Sequence, residues 1–402
     1  MLTVNKILKH ITKKIKINDK LFKNRIISSP ISINMAREGY VTNNIINFFS
    51  NLAKSGVSMV TIGAASISEQ GNDTLNGMII GPKKYLTKLK LLSKNIKKFN
   101  SYSSIQIYHV GAQGNPIHNK QEIVGPSKYL YKNIGVECKP LSLKEIKKIK
   151  NDFVKAIIQA EDAGFDFVEI HLAHGYLLHE FLSKHFNKRK DSYGKSLFNR
   201  FRIISEILED VFKKNPKIKG KIGFRLSAND YVKDGLNIDE LKKIVKLLDK
   251  YQPAYFVITA GLYETAKFKY LDMKKGKYWN YAKKIRKITK TPIIAQGGIT
   301  DLYTANNLIK NNFSELVGMA QSLIADPNLI KKTFSGNKKK IIPCLAHIKV
   351  GSCHRCRYLK QKNQTFSCIT PTSWKPNSEI ISKGEIKKDI KLWENLNKEI
   401  YG

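Results

Sequence analysis

Two histidines and a tyrosine follow a short apolar run near the middle of the chain. The run covers residues 165–170, and His171, His174 and Tyr176 come directly after it. An apolar run of this length is typical of a buried strand, and Gly175 marks a turn at its end. Imidazole and phenol groups donate hydrogen bonds and exchange protons. These residues therefore predict the floor of an active site at the end of a strand.

Short apolar runs alternate with longer amphipathic runs along most of the chain, an order typical of a closed parallel barrel. The helical pattern at 143–163 follows Ser142, with Glu145 three positions later, which is the spacing of a capping box. We expect an α/β fold, a (β/α)8 TIM barrel over residues 1–335, followed by a basic, cysteine-containing extension over residues 336–402. The predicted strands are residues 25–33, 57–64, 104–109, 165–171, 221–226, 254–259, 292–295 and 315–319.

Polar or small residues lie at the ends of the other predicted strands, where such barrels carry their functional groups. Ser32, Ala64, His109 and Arg225 end the first, second, third and fifth strands. Backbone amides in the last two loops suit a phosphate group. These two loops read Gln296-Gly297-Gly298 and Gly318-Met319-Ala320-Gln321.

Four of the five cysteines lie close together near the C-terminus, whereas Cys138 stands alone. In a reducing compartment such crowding favours a metal over disulfides. Four thiolates suit a 4Fe–4S cluster or a zinc ion, and free cysteines are the third alternative. The four residues, with the spacing C-x8-C-x2-C-x11-C, are Cys344, Cys353, Cys356 and Cys368.

The chain is strongly basic, with a formal net charge of +39. A basic field attracts polyanions, and the lysines and arginines around Tyr358 support an RNA-binding alternative. Lysine is spread over nearly every predicted helix, however, which is typical of solvated faces, so we do not expect a nucleic-acid partner. No run of about 18 apolar residues occurs, which argues against a membrane span. We expect a cytoplasmic homo-oligomer.

A series of short motifs runs in order over residues 10–330, and together they resemble the old yellow enzyme family of FMN-dependent ene-reductases. The motifs are Asn24-Arg25, Ser29-Pro30, Gln106 with His109, Asp162-Ala163-Gly164-Phe165, Glu169-Ile170-His171, His174-Gly175-Tyr176-Leu177-Leu178, Glu180-Phe181-Leu182-Ser183, Asn187, Arg189, Asp191, Tyr193-Gly194, Asn199-Arg200, and residues 225–235.

The resemblance implies one non-covalent FMN across the barrel mouth, reduced by NADH or NADPH. Ala64 and Gln106 would hydrogen-bond the polar rim of the flavin. Arg225 would face the flavin N1–C2 carbonyl region, where a fixed guanidinium stabilises the negative charge of the reduced ring. The residues expected to meet the edge of the isoalloxazine are Pro30, Ile31 and Ser32.

The resemblance also assigns roles to the residues after the fourth strand. His171 and His174 would donate hydrogen bonds to the carbonyl oxygen of a small unsaturated substrate, and Tyr176 would protonate its α-carbon. The implied reaction is reduction of a C=C bond conjugated to an electron-withdrawing group. An amine dehydrogenase or demethylase on the same scaffold, as in trimethylamine dehydrogenase, is the neighbouring alternative.

The chain departs from the pattern of the family at several places, which include the phosphate loop and the cysteine segment. Where the family carries an arginine for the FMN phosphate, this chain reads Ala320-Gln321, and glutamine brings no charge. The backbone amides of Gly297, Gly298, Ala320 and Gln321 would then hold the phosphate. The cysteine segment resembles the iron–sulfur motif of dienoyl-CoA reductases, with about six residues inserted after the first cysteine. We expect such a cluster to need an external electron donor.

Overall fold

The computed structural model describes residues 2–116, 121–132, 135–265 and 276–344, together with a few single positions beyond them. Within these residues no helix has the length and apolar character needed to cross a membrane.

Eight parallel strands form a closed barrel, as the sequence predicts. Each strand pairs with the next in the chain, and β8 pairs with β1. The strands are β1 (Ile26–Ser28), β2 (Met59–Ser66), β3 (Tyr102–Tyr108), β4 (Phe167–Leu172), β5 (Ile222–Ser227), β6 (Tyr255–Thr259), β7 (Ile293–Gln296) and β8 (Leu316–Met319). The first strand is shorter than the predicted 25–33 because Pro30 has no N–H to give to a ladder.

A helix follows each strand along the chain and packs on the outside of the barrel. The helices are α1 (Asn43–Lys54), α2 (Leu86–Lys97), α3 (Leu143–Asp162), α4 (Leu197–Lys214), α5 (Ile238–Asp249), α6 (Lys277–Arg286), α7 (Leu302–Lys310) and α8 (Leu329–Phe334). Each long helix buries one apolar stripe, and in α5 the buried residues follow the helical spacing: Leu241, Ile244, Val245 and Leu248.

Shorter elements complete the fold. Two short helices precede the barrel, at Leu2–Ile7 and Lys9–Thr12, and two more lie at its C-terminal end, at Leu177–Leu182 and Gln321–Ala325. A strand at Met78–Ile79 pairs in parallel with the C-terminal end of β2. A small separate sheet contains Val124–Gly125, Tyr129–Tyr131 and Val136–Pro140.

A hairpin closes the N-terminal end of the barrel. Its strands Ile15–Ile17 and Lys20–Phe22 pair in antiparallel fashion. Phe22 packs on Phe167 at the start of β4, with ring centroids 5.9 Å apart, and shares a cluster with the starts of other strands. Because this end is filled by apolar side chains, the opposite end is the one left for polar groups.

The predicted capping box begins α3. Ser142 Oγ accepts a hydrogen bond from the Glu145 backbone N–H at 3.2 Å, and Glu145 Oε2 accepts one from the Ser142 backbone N–H at 2.8 Å. Both otherwise unpaired N–H groups of the first turn are therefore satisfied.

We predict that Ser142→Ala lowers the free energy of unfolding by about 1 kcal/mol, because the first turn loses its acceptor. Urea denaturation followed by circular dichroism measures this change. Ser142→Thr, which keeps a hydroxyl acceptor, is the matched control and should lie close to the wild type. Equal stability of the alanine and threonine variants would show that the cap contributes nothing.

Candidate active site

The three residues predicted as catalytic meet at the C-terminal end of β4. The His171 ring lies 5.2 Å from the His174 ring and 4.8 Å from the Tyr176 ring, between centroids, and both pairs are nearly perpendicular. All three side chains are buried. The backbone of His174 (φ 63°) and Gly175 (φ 81°) is left-handed, and this sharp turn is what folds Tyr176 back toward His171.

Hydrogen bonds determine how the two imidazoles are presented. The Ala173 backbone N–H donates to His171 Nδ1 at 3.2 Å, so the His171 proton resides on Nε2. His174 Nε2 lies 3.0 Å from Thr259 Oγ1 at the end of β6, and its backbone N–H donates to Ser227 Oγ at the end of β5. His171 therefore presents a neutral N–H donor, while His174 is tied to the neighbouring strand ends.

The Tyr176 hydroxyl belongs to a small polar network. It lies 3.1 Å from the Tyr263 hydroxyl and donates to Asp73 Oδ2 at 3.3 Å. Burial raises the pKa of Tyr176 well above its usual value, and the neighbouring Tyr263 and Asp73 raise it further. The phenol is therefore protonated at neutral pH and can act as a proton donor.

Five of the six residues predicted to touch the flavin are partly exposed at the barrel mouth, whereas Gln106 is buried. Within β2 only Ala64 is partly exposed, and within β5 only Arg225 is. The loop after β1 lies close against β2. A Cβ on Gly63 would stand only 2.4 Å from Pro30 Cβ, so only glycine allows this close approach. Pro30, Ile31 and Ser32 on that loop are also partly exposed.

Arg225 provides the test of whether these residues fit FMN. Its Nε and Nη1 atoms are shielded from solvent and have no hydrogen-bond partner among the described residues. Burial lowers the pKa of Arg225, and the nearby Glu169 acts in the opposite direction. Unmet donors that are shielded from solvent are costly, and acceptors on a ligand would satisfy them. The carbonyl and ring-nitrogen edge of FMN supplies such acceptors, and the residues therefore fit this cofactor.

Glu169 belongs to the site, although the sequence motifs predict no catalytic or cofactor-binding role for it. The carboxyl is buried in the barrel and accepts a hydrogen bond from Gln106 Nε2 at 2.6 Å. Burial raises the pKa of Glu169, whereas the charge of Arg225 lowers it. Its position in the sequence could have indicated this role. Glu169 lies two residues before His171, so both side chains are on the same face of the strand. Asp73 and Tyr263 were also missed, because both lie on loops far away in sequence.

The two loops predicted to hold a phosphate lie side by side. Gln296 at the end of β7 pairs with Gly318 in β8. The Ser322 hydroxyl donates to the Ile299 carbonyl at 3.1 Å and links the two loops. Gly297 and Gly298 both have positive φ. All four residues predicted to offer backbone amides are partly exposed: Gly297, Gly298, Ala320 and Gln321.

The cysteine prediction falls only partly on the described residues. Cys344 is partly exposed and Cys368 is buried, whereas Cys353 and Cys356 lie outside the described residues. Where the chain is described, no group of three or more metal-binding side chains is present. Thr370 Oγ1 donates to the Ala325 carbonyl at 2.9 Å, so the chain beside Cys368 contacts the helix Gln321–Ala325. The metal site stays a prediction.

Residues 11–340 match the NADH:flavin oxidoreductase / NADH oxidase family. The chain belongs to this family. This membership confirms the resemblance to the old yellow enzymes that the sequence motifs indicated.

Three proteins that are similar to this chain are two sequence relatives and one solved structure with the same fold. An NADH oxidase from Thermoanaerobacter brockii is 30% identical over 340 residues, which cover 82% of this chain and 52% of that protein. An NADPH dehydrogenase from Bacillus subtilis strain 168 is 29% identical over 315 residues, covering 78% and 90%. The structure of a 2-naphthoyl-CoA reductase complex has a TM-score of 0.84 at 24% identity, covering 95% of this chain and 58% of that one. The chain thus spans about half the length of the NADH oxidase and most of the NADPH dehydrogenase.

We predict that Arg225→Met weakens FMN binding by about tenfold or more, because the flavin loses charge-assisted hydrogen bonds. Titration of apoprotein with FMN, followed by the quenching of flavin fluorescence, gives the dissociation constant. Arg202→Met changes a surface arginine that stacks on Phe198 and serves as the control. If both variants bound FMN like the wild type, Arg225 would have no part in the flavin site.

His109 generates a prediction about pH. Its Nδ1 accepts a hydrogen bond from the Gly111 backbone N–H at 3.1 Å, and burial lowers the pKa of His109 to about 3. Between this value and the ordinary histidine pKa of about 6.5, the unfolded chain binds a proton that the folded protein does not. Stability from this residue is therefore lost as the pH falls through that window.

We expect wild type to lose about 1.4 kcal/mol of stability per pH unit below about pH 6.5, relative to His109→Asn. Urea unfolding of both proteins between neutral pH and about pH 5 measures the difference. Parallel stability profiles across that range would contradict the burial effect.

Proposed function

We propose that this protein is an FMN-dependent oxidoreductase that uses NADH or NADPH to reduce a C=C bond conjugated to an electron-withdrawing group. One observation carries the proposal: a neutral N–H donor on His171 and a protonated phenol on Tyr176 meet at the end of β4. They adjoin a barrel mouth where Arg225 has unmet donors. A hydrogen-bond donor beside a proton donor is what addition of hydride to an enone requires.

The cofactor would be held by the residues of the barrel mouth. Arg225 would pair with the carbonyl and nitrogen edge of the flavin, and Gln106, fixed by Glu169, would hydrogen-bond its polar rim. The β7 and β8 loops would bind the phosphate through backbone amides, the usual arrangement at this end of a barrel. When bound, FMN supplies the hydride that NADH or NADPH provides.

His171 would bind the carbonyl oxygen of the substrate through its Nε2–H, with the His174 ring beside it as the second predicted donor. As hydride reaches the β-carbon, negative charge develops on that oxygen. The His171 Nε2–H is fixed in place because Nδ1 is already occupied by the Ala173 N–H. A preorganised donor in a site shielded from water stabilises such charge without a cost of reorganisation.

Tyr176 would complete the reaction by giving its phenolic proton to the α-carbon. Its raised pKa keeps the phenol protonated until the electron-rich carbon forms. Burial among the rings of Tyr108 and His171 orients the side chain and limits the access of water. The same burial makes a phenolate unfavourable, so proton donation is coupled to a step that generates a strong base.

Reconstitution of purified protein with FMN tests the function. Under anaerobic conditions, NADH or NADPH should bleach the absorbance of the bound flavin, and a simple enone should restore it. The absence of bound flavin, or of reoxidation by any enone, would overturn the proposal. Bleaching by amines in place of NAD(P)H would instead support an amine dehydrogenase.

We predict that Tyr176→Phe slows reoxidation of the reduced protein by an enone by roughly 10²–10⁴-fold. The enone is chosen so that proton transfer to its α-carbon is the slowest step. Reduction by NADPH should be unaffected, because that half-reaction does not use the phenol. Stopped-flow absorbance measures the rates of reduction and of reoxidation separately. Tyr251→Phe removes a hydroxyl that binds Glu209 on the surface and is the control. A Tyr176→Phe variant with unchanged reoxidation would assign the proton to another donor.

A further inference from the structure

Asp73 connects two tyrosines at the candidate active site. It lies between β2 and the strand Met78–Ile79. The Tyr108 hydroxyl donates to Asp73 Oδ1 at 2.8 Å, and the Tyr176 hydroxyl donates to Asp73 Oδ2 at 3.3 Å. The Asp73 backbone N–H in turn donates to the Tyr108 hydroxyl at 3.1 Å. Both carboxylate oxygens are thus engaged, one by the end of β3 and one by the proposed acid.

The loop that carries Asp73 is held in a defined position. The Tyr108 hydroxyl also contacts Asn72 Oδ1 at 3.2 Å, and Asn72 Nδ2 donates to the Gly77 carbonyl at 3.1 Å. Asn72 and Thr74 on either side of Asp73 are buried, whereas Asp73 itself is partly exposed. The carboxylate therefore has a fixed place with access to solvent.

A tyrosine that gives its proton to carbon must regain one in every catalytic cycle. The Tyr176 side chain is buried, with the rings of Tyr108 and His171 centred 5.0 Å and 4.8 Å away. Among the described residues, its hydroxyl has two hydrogen-bond partners, Asp73 and Tyr263. Both are partly exposed, so a returning proton has two routes from solvent.

We propose that Asp73 returns a proton from solvent to Tyr176 after each turnover, a role that rests on the proposed function. The Tyr176 O–H bond breaks as the C–H bond at the α-carbon forms, which leaves a phenolate. The Asp73 carboxylate takes a proton from water or a buffer acid. Its O–H bond then breaks as the Tyr176 O–H bond forms again. One solvent proton is consumed per turnover, and Asp73 ends unchanged.

Charge favours Asp73 over Tyr263 for this role. A phenolate beside a carboxylate places two negative charges together, which raises the proton affinity of the pair. Tyr263 brings a hydroxyl and no carboxylate, so it would add a second negative charge only as a phenolate. Because Asp73 acts through Tyr176, it is a positioning residue for the proposed reaction.

Comparison of single and multiple turnovers tests the relay in the FMN-loaded protein. In Asp73→Asn, the first reoxidation by an enone should be as fast as in the wild type or faster, because Tyr176 starts protonated and has lost a neighbouring negative charge. Steady-state turnover should fall by roughly tenfold or more, and in Asp73→Ala added formate should restore it. Asp19→Asn, which changes an exposed carboxylate, is the matched control. The relay would be overturned if Asp73→Asn kept the wild-type steady-state rate, or if its first turnover slowed as much as its steady state. It would also be overturned if Tyr263→Phe alone showed the same loss of steady-state turnover.

A second measurement uses the apoprotein and does not depend on activity. The protein is labelled with 3-fluorotyrosine, and Tyr176→Phe identifies the ¹⁹F resonance of Tyr176. The pKa of Tyr176 should be lower in Asp73→Asn, because a neighbouring negative charge that raises it has been removed. An unshifted titration would contradict the proposal. If wild type fails to reduce enones while this shift is present, the proposed function fails but the coupling of the two residues stands.

Discussion

The parallel register of β3, β4 and β5 is the constraint on which the site depends. In this register Glu169 lies opposite Gln106, and His171 lies opposite Arg225. Parallel strands in a closed barrel end at one face, so groups separated by long stretches of sequence converge there. A slip of one residue in β4 would send both its polar side chains to the outer face, against the helices. The chemistry of the site is therefore inseparable from closure of the barrel.

Desolvation shifts the pKa values of several side chains at the site. Burial lowers the pKa of His109, raises that of Glu169 and raises that of Tyr176, in each case because the charged form loses its hydration. The barrel mouth thus favours neutral forms of its acids and bases. Arg225 is the exception, because a guanidinium keeps its charge in proteins. Each unmet buried donor costs about 1–3 kcal/mol, so a ligand with acceptors at this position stabilises the folded protein.

The relatives differ in length. This chain spans about half of the NADH oxidase and 90% of the NADPH dehydrogenase, and the family match covers residues 11–340. The barrel carries every residue to which the proposed reaction assigns a role. Thr370, two residues after Cys368, contacts the helix Gln321–Ala325.

The sequence alone determined the order of the strands and helices, the capping box at Ser142 and the strand ends that carry polar groups. These features are local: they depend on apolar periodicity, on caps and on glycines at turns. The motif at the end of β4 could be recognised for the same reason, since His171, His174 and Tyr176 are close together in sequence. Only the tertiary structure decided that Glu169 orients Gln106, that Arg225 has unmet donors and that Asp73 touches Tyr176. Such contacts join residues far apart in sequence, and they arise from strand register and burial, which no local pattern records.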